Sequence, residues 1–257
     1  MTDSSEIGKL YLIGAGPGDP ELLTLKAVRC LRLCDVVLYD RLVSPQIIAL
    51  ARPGAELINV GKHEGEQEHT QGRILELIRE HTFAGKTVGR LKGGDPLVFG
   101  RGAEEWAFAW GLGIEVELVP GISSAVSLPG LAGIPLTYRR VSRSFAVITG
   151  HCHEGREQEW KRYSGIDTLV VLMGVQNRAF IAQSLIAAGR HAEEPVAFIE
   201  RGTLAGEAIV EATLGQVADS AVKVHSPAVF VIGEVVKLRA QLGSISAALP
   251  EPVPVLE

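Results

Sequence analysis

Residues 10–21 read LYLIGAGPGDPE, and this stretch decides the fold of the first part of the chain. The apolar run at 10–13 predicts a buried strand, and the glycines after it predict a tight turn. Asp19, Pro20 and Glu21 supply an N-cap, a proline at the first helical position and an acid in the first turn. They predict a helix to about residue 33, so the segment is one strand–loop–helix unit of a parallel α/β sheet.

The same alternation of strand and helix continues along the chain. Before a polar, basic segment at 138–144, strands are predicted at 36–39, 57–60, 87–91 and 116–119, and helices at 71–83, 103–110 and 123–131. After it, strands are predicted at 145–149, 168–172, 196–199, 208–212 and 229–232, and helices near 177–188 and 214–219. The prediction is two α/β domains, with a parallel sheet in the N-terminal domain and a mixed sheet in the C-terminal domain. Their predicted limits are 1–137 and 145–245, with a linker at 138–144 and a flexible tail at 246–257.

Composition and charge exclude several classes of protein. The chain has 257 residues and a formal net charge of −5, which argues against a nucleic-acid partner. The longest apolar runs are too short to span a bilayer, and the polar N-terminus shows no signal peptide. The 3 cysteines form no CxxC motif, and Cys30 and Cys34 are interpreted as packing residues. We expect a cytoplasmic protein with no membrane partner.

The first glycine loop, residues 14–19, has two interpretations. As a dinucleotide-binding fingerprint it would be supported by Asp40, which ends the second predicted strand where a ribose-binding acid would lie. Against this, Asp19 occupies the third conserved position, where glycine or alanine is needed, and Pro17 and Pro20 remove backbone donors. A simple strand-to-helix turn is an equally good interpretation.

A second glycine loop lies in residues 91–105, which read LKGGDPLVFGRGAEE. Its glycines allow a ligand to approach the backbone, and Asp95 either faces a polar ligand group or closes the turn. Arg101 and Glu104 share one face of the next helix, either as a surface ion pair or as ligand-binding groups.

A third loop, residues 120–124, carries Ser123 and Ser124, whose hydroxyls either cap the next helix or bind a ligand. All three loops follow predicted parallel strands, and ligands of open α/β sheets bind at that edge.

Together these strings resemble the uroporphyrinogen-III C-methyltransferases of the tetrapyrrole methylase family. The resemblance runs from about Lys9 to Leu238, and the supporting strings are residues 14–19, 22–24, 39–43, 60–62, 91–105, 119–124, 132–137 and 149–151. The chain departs from the family pattern at 63–66, at 128–131 and at Tyr138, where a histidine is commoner. The resemblance implies two α/β domains with S-adenosylmethionine in a cleft between them, and a homodimer.

The resemblance also implies roles for particular residues. Asp40 and Lys62 would be proton acceptor and donor, and Glu104 a third catalytic group. Arg101, Glu104 and Arg139 would bind the substrate. The cofactor-binding residues would be Pro17, Gly93, Gly94, Asp95, Val98, Ser123 and Ser124, with Met173 and Gly202 contributed by the second domain. The sequence alone favours core packing as the interpretation of Met173.

The implied reaction methylates uroporphyrinogen III at C-2 and C-7 to give precorrin-2, in sirohaem and cobalamin synthesis, and it needs no metal. The string His151-Cys152-His153 does not make a metal site by itself. The alternatives are a sister methyltransferase acting later in corrin synthesis, a nicotinamide-dependent oxidoreductase, and a non-catalytic tetrapyrrole- or nucleotide-binding module.

Overall fold

The computed structural model describes residues 7–61, 67–151 and 159–242, with the backbone alone at 67–70. The chain forms two compact units, one of Met1–Ser127 with Gly202–Glu207 and one of Leu128–Arg201 with Ala208–Glu257. This division falls earlier than the predicted linker and assigns Gly202–Glu207 to the first unit. The predicted tail at 246–257 lies outside the described residues.

The first unit contains a five-stranded sheet whose paired strands are all parallel, which confirms the sequence prediction. Its strands in spatial order are β3 (Glu56–Asn59), β2 (Val36–Tyr39), β4 (Val88–Lys92), β1 (Lys9–Gly14) and β5 (Glu115–Val119). Its helices are α1 (Leu25–Leu31), α2 (Pro45–Ile48), α3 (Gln67–Phe83), α4 (Gly102–Gly111) and the start of α5 (Ser124–Leu131).

Helices and loops cover both faces of this sheet. On β1, Leu10 and Leu12 pack into one core cluster together with Ile78, while Ile13 packs into another with Cys30. Such two-sided burial is the usual state of parallel sheets. The interpretation of the cysteines as packing residues is confirmed for Cys30 and Cys34, and burial raises the pKa of the Cys34 thiol to about 12.

The helix predicted to follow the first glycine loop is interrupted. Asp19 Oδ1 accepts a hydrogen bond from Glu21 N at 2.8 Å, and only a 3-10 turn, Pro20–Leu22, follows. Leu23 is extended, and α1 begins after Thr24, whose Oγ1 accepts from Ala27 N at 3.1 Å. The prediction of one continuous helix was wrong because a second N-cap lies five residues after the first.

The second unit contains the predicted mixed sheet. Its spatial order is β6 (Phe145–Thr149), β7 (Thr168–Leu172), β10 (Ala228–Ile232), β8 (Pro195–Glu200) and β9 (Ala208–Thr213). Only the β6–β7 pair is parallel. The helices are α6 (Arg178–Ala187), α7 (Leu214–Ala218) and α8 (Arg239–Leu242). Phe198 and Phe230 stack in the core with ring centroids 4.2 Å apart.

The segment predicted as a linker, 138–144, contains a closed turn of the second unit. Tyr138 and Ser142 exchange backbone hydrogen bonds of 3.0 and 2.9 Å. The buried Ser142 hydroxyl donates to Leu136 O at 3.0 Å and lies 2.9 Å from Thr168 Oγ1. These bonds fix the arginine-bearing turn to the start of β7. Among the described helices, none is long and apolar enough to cross a bilayer.

Candidate functional site

Three loops meet at the carboxyl edge of the parallel sheet, which is the edge where its strands end. Gly16 and Gly94 exchange backbone hydrogen bonds of 3.1 and 2.7 Å between the loops that follow β1 and β4. A Cβ on Gly14 would lie 2.4 Å from Gly121 N, and one on Gly121 would lie 2.2 Å from Gly94 O. The loops therefore touch backbone to backbone, at positions that no side chain could occupy without moving them.

The second glycine loop offers an open stretch of backbone. Gly94 has a φ of +67°, and a Cβ on Gly93 would meet only Leu42 Cβ, at 3.7 Å. Val98, three residues beyond Asp95, keeps 37% of its surface exposed. A planar or ribose-like group can thus approach the backbone of this loop with apolar surface beside it.

Two of the predicted cofactor-binding residues, Asp95 and Ser123, stabilise the local structure of their loops. Asp95 accepts from Leu97 N at 2.9 Å and from Gly121 N at 3.1 Å, so it closes its turn and joins two loops. Ser123 Oγ accepts from Ala125 N at 3.3 Å at the start of α5. Ser124 begins that helix and is half-buried. The direct binding roles of these residues remain predictions.

The first loop is held by two residues that the sequence did not identify. Ser44 Oγ donates to Gly18 O at 2.8 Å, and Asp19 N donates to Thr203 Oγ1 at 3.2 Å. Gly202 precedes Thr203, so it lies beside the first loop within the first unit, and half-buried Pro17 belongs to the same loop. Ser44 directly precedes Pro45, and this pair by itself indicates only a helix start. Nothing in the sequence pointed to Thr203, because 184 positions separate it from its partner.

The strand order argues against a dinucleotide site. In dinucleotide-binding sheets the first two strands are neighbours, whereas here β4 lies between β1 and β2. No α-helix begins directly at the first glycine loop, because the 3-10 turn Pro20–Leu22 stands there. A pyrophosphate would therefore lack the helix N-terminus that such folds provide.

Arg101 and Glu104 form a two-pronged ion pair at the start of α4. Arg101 Nε lies 3.0 Å from both carboxylate oxygens of Glu104, and Nη2 lies 2.6 Å from Oε2. Their side chains are 36% and 54% exposed. The predicted ion pair is therefore confirmed. The pair presents a guanidinium and a carboxylate side by side at the surface of the unit.

A buried charge cluster lies behind the loops. Arg90 Nη2 donates to Asp40 Oδ1 at 2.6 Å, and Arg90 Nε donates to Glu105 Oε1 at 3.1 Å. Lys92 Nζ reaches the same Glu105 oxygen at 2.9 Å. Sequence reasoning missed this cluster. Two basic residues, Arg90 in the strand predicted at 87–91 and Lys92 directly after it, were a usable signal, because charges buried in a parallel sheet need partners.

Burial and pairing act differently on the two cations of the cluster. Burial by itself lowers the pKa of the Arg90 guanidinium, but Asp40 and Glu105 outweigh it and raise that pKa above its ordinary value. Burial and then the charge of Arg90 lower the pKa of the Lys92 ammonium, against the opposing effect of Glu105. Asp40 keeps 32% side-chain exposure, so this predicted catalytic carboxylate connects the cluster to the surface. Its predicted companion, Lys62, lies outside the described residues.

Two predicted site residues belong to the second unit. Met173 has a φ of +55° at the end of β7 and is 53% exposed, so its interpretation as core packing was wrong. Bulky residues adopt such a backbone only under local constraint, and constraint of this kind concentrates at functional sites. Arg139 is exposed in the closed turn at 138–142, and its predicted contact with the substrate is untested.

Among residues 7–61, 67–151 and 159–242, no group of three or more His, Cys, Asp or Glu side chains is arranged to hold a metal ion. His151 is exposed, whereas Cys152 and His153 lie outside these ranges.

Fold and site thus define a two-unit α/β ligand-binding protein whose first unit carries its loops at the carboxyl edge of a parallel sheet. Residues 9–218 match the family model of tetrapyrrole (corrin/porphyrin) methylases. The chain belongs to this family, as the resemblance predicted.

Individual relatives support the same assignment. "Siroheme synthase 2" of Aeromonas hydrophila is 45% identical over 240 residues, which are 93% of this chain and 51% of that protein. The "Uroporphyrinogen-III C-methyltransferase" of Methanocaldococcus jannaschii is 42% identical over 90% of this chain and 98% of its own length. The Thermus thermophilus uroporphyrin-III C-methyl transferase, crystallised with S-adenyl homocysteine, is 46% identical with a TM-score of 0.79, covering 90% of this chain and 100% of that one. The chain spans about half the length of the siroheme synthases that it matches.

Proposed function

We propose that this chain is an S-adenosylmethionine-dependent C-methyltransferase that converts uroporphyrinogen III into precorrin-2 by methylation at C-2 and C-7, releasing S-adenosylhomocysteine. The observation that carries the proposal is the meeting of the three loops beside an Arg–Glu pair at one sheet edge. Relatives that match this chain over nearly their whole length bear the name of this activity.

The residues of the first unit fit the cofactor. The open backbone at Gly93 and Gly94 would take the nucleoside side of S-adenosylmethionine, with Val98 beside it. Pro17, Asp95, Ser123, Ser124 and Gly202 would complete this side of the site, and Met173 is the proposed contribution of the second unit. When bound, S-adenosylmethionine supplies a methyl group on a sulfonium, whose sulfur keeps the bonding electron pair as the methyl group leaves.

Binding of the substrate falls to arginine side chains. Uroporphyrinogen carries eight carboxylates, and guanidinium groups bind carboxylates with two parallel hydrogen bonds. In a chain of net charge −5, those arginines must be gathered locally. Arg101 and Arg139 are the proposed anchors, with Arg140 and Arg143 adjoining the second of them.

Proton handling falls to the carboxylates. Glu104 lies within reach of the same substrate as Arg101, because the two side chains are paired, and it is proposed to bind the pyrrole nitrogens or take a proton. Asp40 is proposed as the proton acceptor, since it is partly exposed and held at the end of β2. Lys62 is proposed as the proton donor.

The sister methyltransferase acting later in corrin synthesis shares the fold and differs in substrate, so the product decides between the two. The oxidoreductase alternative is disfavoured by the position of β4 between β1 and β2. A homodimer and a cytoplasmic location are part of the proposal, and sedimentation of the purified protein tests the dimer.

Calorimetric measurement of ligand binding tests the class of cofactor and does not require turnover. The proposal predicts saturable binding of S-adenosylhomocysteine and no binding of NAD. Binding of NAD with no binding of S-adenosylhomocysteine would overturn it. Cofactor binding without methyl transfer to uroporphyrinogen III would favour the sister enzyme or the non-catalytic module.

A further inference from the structure

A buried guanidinium stands behind the carboxylate proposed to accept the proton. Arg90 lies on β4 with 2% of its side chain exposed, and its Nη2 donates to Asp40 Oδ1 at 2.6 Å. Asp40 itself keeps 32% exposure. The Asp40 carboxylate is thus hydrogen-bonded to a buried group and remains accessible from the solvent side.

The other nitrogens of this guanidinium are bonded inside the unit. Nε donates to Glu105 Oε1 at 3.1 Å, and Nη1 lies 3.4 Å from Leu38 O and 3.3 Å from Leu91 O. Because a guanidinium is a rigid planar fork, these bonds fix the direction in which Nη2 points at Asp40.

Glu105 is the anchor of this arrangement. It is fully buried, and Lys92 Nζ also bonds its Oε1, at 2.9 Å. Its Oε2 has no hydrogen-bond partner among the described residues. Burying such charges costs desolvation free energy that their attraction only partly offsets, so stability alone is a weak reason for the cluster.

We propose that Arg90 is a positioning residue for the methyl transfer and acts through Asp40. It holds the Asp40 carboxylate in the orientation that accepts the proton released by the pyrrole framework as the new carbon–carbon bond forms. This inference rests on the proposed function, in which Asp40 is the proton acceptor.

A double-mutant cycle tests the inference, using Arg90→Met, Asp40→Asn and the double variant. Single-turnover methylation is followed by mass, and S-adenosylhomocysteine binding by calorimetry. Arg90→Met is expected to lower the rate at least about 10-fold while the Kd changes less than about 3-fold. In the Asp40→Asn background the same change should lower the rate less than about 2-fold, because residues acting as a unit are non-additive.

Arg190→Met is the matched control. Arg190 is buried in the second unit, with 4% of its side chain exposed. Its hydrogen-bond partners among the described residues are Glu194 and the carbonyls of Tyr163 and Ile166, none of which is a predicted site residue. Its loss should lower stability and leave the methylation rate of the folded protein unchanged. A rate loss equal to that of Arg90→Met would mean that Arg90 acts only through stability.

Two further variants keep the test decisive. If Arg90→Met does not fold, Arg90→Met combined with Glu105→Gln removes both opposed charges and should show the same rate loss. If Asp40→Asn is too slow to measure, the Arg90→Lys variant, which keeps a charged donor for Asp40 but not the planar fork, should recover only part of the rate lost in Arg90→Met. Equal loss in both variants would overturn the inference. Equal rate losses from Arg90→Met in the wild-type protein and in the Asp40→Asn variant would also overturn the inference. The proposed function would still stand in that case, provided that the wild-type protein methylates uroporphyrinogen III. If wild-type protein leaves uroporphyrinogen III unmethylated, the proposed function fails and the inference fails with it.

Discussion

Both units bury an arginine that pairs with a glutamate, but the two arginines differ in their remaining hydrogen-bond partners. In the second unit, Arg190 pairs with Glu194 and donates to the Ile166 carbonyl at 2.7 Å, so it joins stretches of chain. In the first unit, Arg90 pairs with Glu105 and also with Asp40, whose side chain is partly exposed. The same interaction is therefore structural in one unit and reaches the proposed site in the other.

The glycine contacts of the two units show the same contrast. The close approaches of the second unit each join only two stretches of backbone: a Cβ on Gly150 would lie 2.4 Å from Gly174 Cα, and one on Gly233 would lie 2.6 Å from Asp167 O. In the first unit three loops meet through Gly14, Gly94 and Gly121. Substitutions in the first unit should accordingly change binding and turnover, whereas core substitutions in the second should change mainly stability.

The largest expected effect is on the core of the second unit. Phe198→Ala removes a fully buried ring stacked on Phe230, so the free energy of unfolding should fall by about 3–5 kcal/mol. Urea denaturation measures it. Phe180→Ala is the control, because Phe180 is exposed and its loss should cost less than about 1 kcal/mol. Similar losses in both variants would contradict the assigned core.

Next in size is the effect of Arg101→Ala on turnover. Loss of a charge-assisted contact to the substrate is worth about 1.5–3 kcal/mol, or about 10–150-fold in turnover, with little change in S-adenosylhomocysteine affinity. Arg162→Ala removes a similar exposed pair with Glu159 in the second unit and should leave both unchanged. Equal loss of turnover and cofactor affinity in Arg101→Ala would remove Arg101 from the substrate role.

Gly14→Ala tests the meeting of the loops. The added Cβ would lie 2.4 Å from Gly121 N, so the loops must separate at a cost of about 1–3 kcal/mol. S-adenosylhomocysteine affinity, measured by calorimetry, should fall together with stability. Gly72→Ala is the control, because a Cβ at Gly72 would meet nothing within 4 Å. This substitution replaces a glycine inside α3 by a better helix former, so neither affinity nor stability should fall. Unchanged affinity in Gly14→Ala would separate the loops from the cofactor.

The smallest effect concerns a surface ion network of the first unit. Hydrogen bonds from Lys26 and Lys9 lower the pKa of Glu117 to about 2. Because the folded-state pKa is depressed, this stability is present above the unfolded pKa of about 4.3 and is lost as pH falls towards 2. Glu117→Gln should flatten the stability profile between those pH values by less than about 1 kcal/mol, less still at high salt. A steeper acid loss in the variant would contradict the assignment.

How much the sequence could predict depended on how local each feature is. Strands β2, β6 and β7 have the predicted bounds, because short apolar runs between turn residues specify them locally. The second N-cap at Thr24 and the packing of Gly202–Glu207 on the first loop were not predicted. The latter needs long-range contacts that no periodicity encodes.

The candidate site follows the same rule. The glycine loops and the Arg101–Glu104 pair were visible because their residues are close in sequence. The Arg90–Asp40 contact spans 50 positions, so the sequence could show two charges in a buried strand but not their partner. The exposure of Met173 was likewise hidden, because a methionine after an apolar strand looks like core.

The central claim, that this chain methylates a tetrapyrrole, is tested most directly by incubating it with S-adenosylmethionine and uroporphyrinogen III and weighing the product. The account predicts a tetrapyrrole that gains two methyl groups, with two equivalents of S-adenosylhomocysteine released and no added metal or NAD required. An unchanged tetrapyrrole mass, from protein that binds S-adenosylhomocysteine and remains folded, would contradict it.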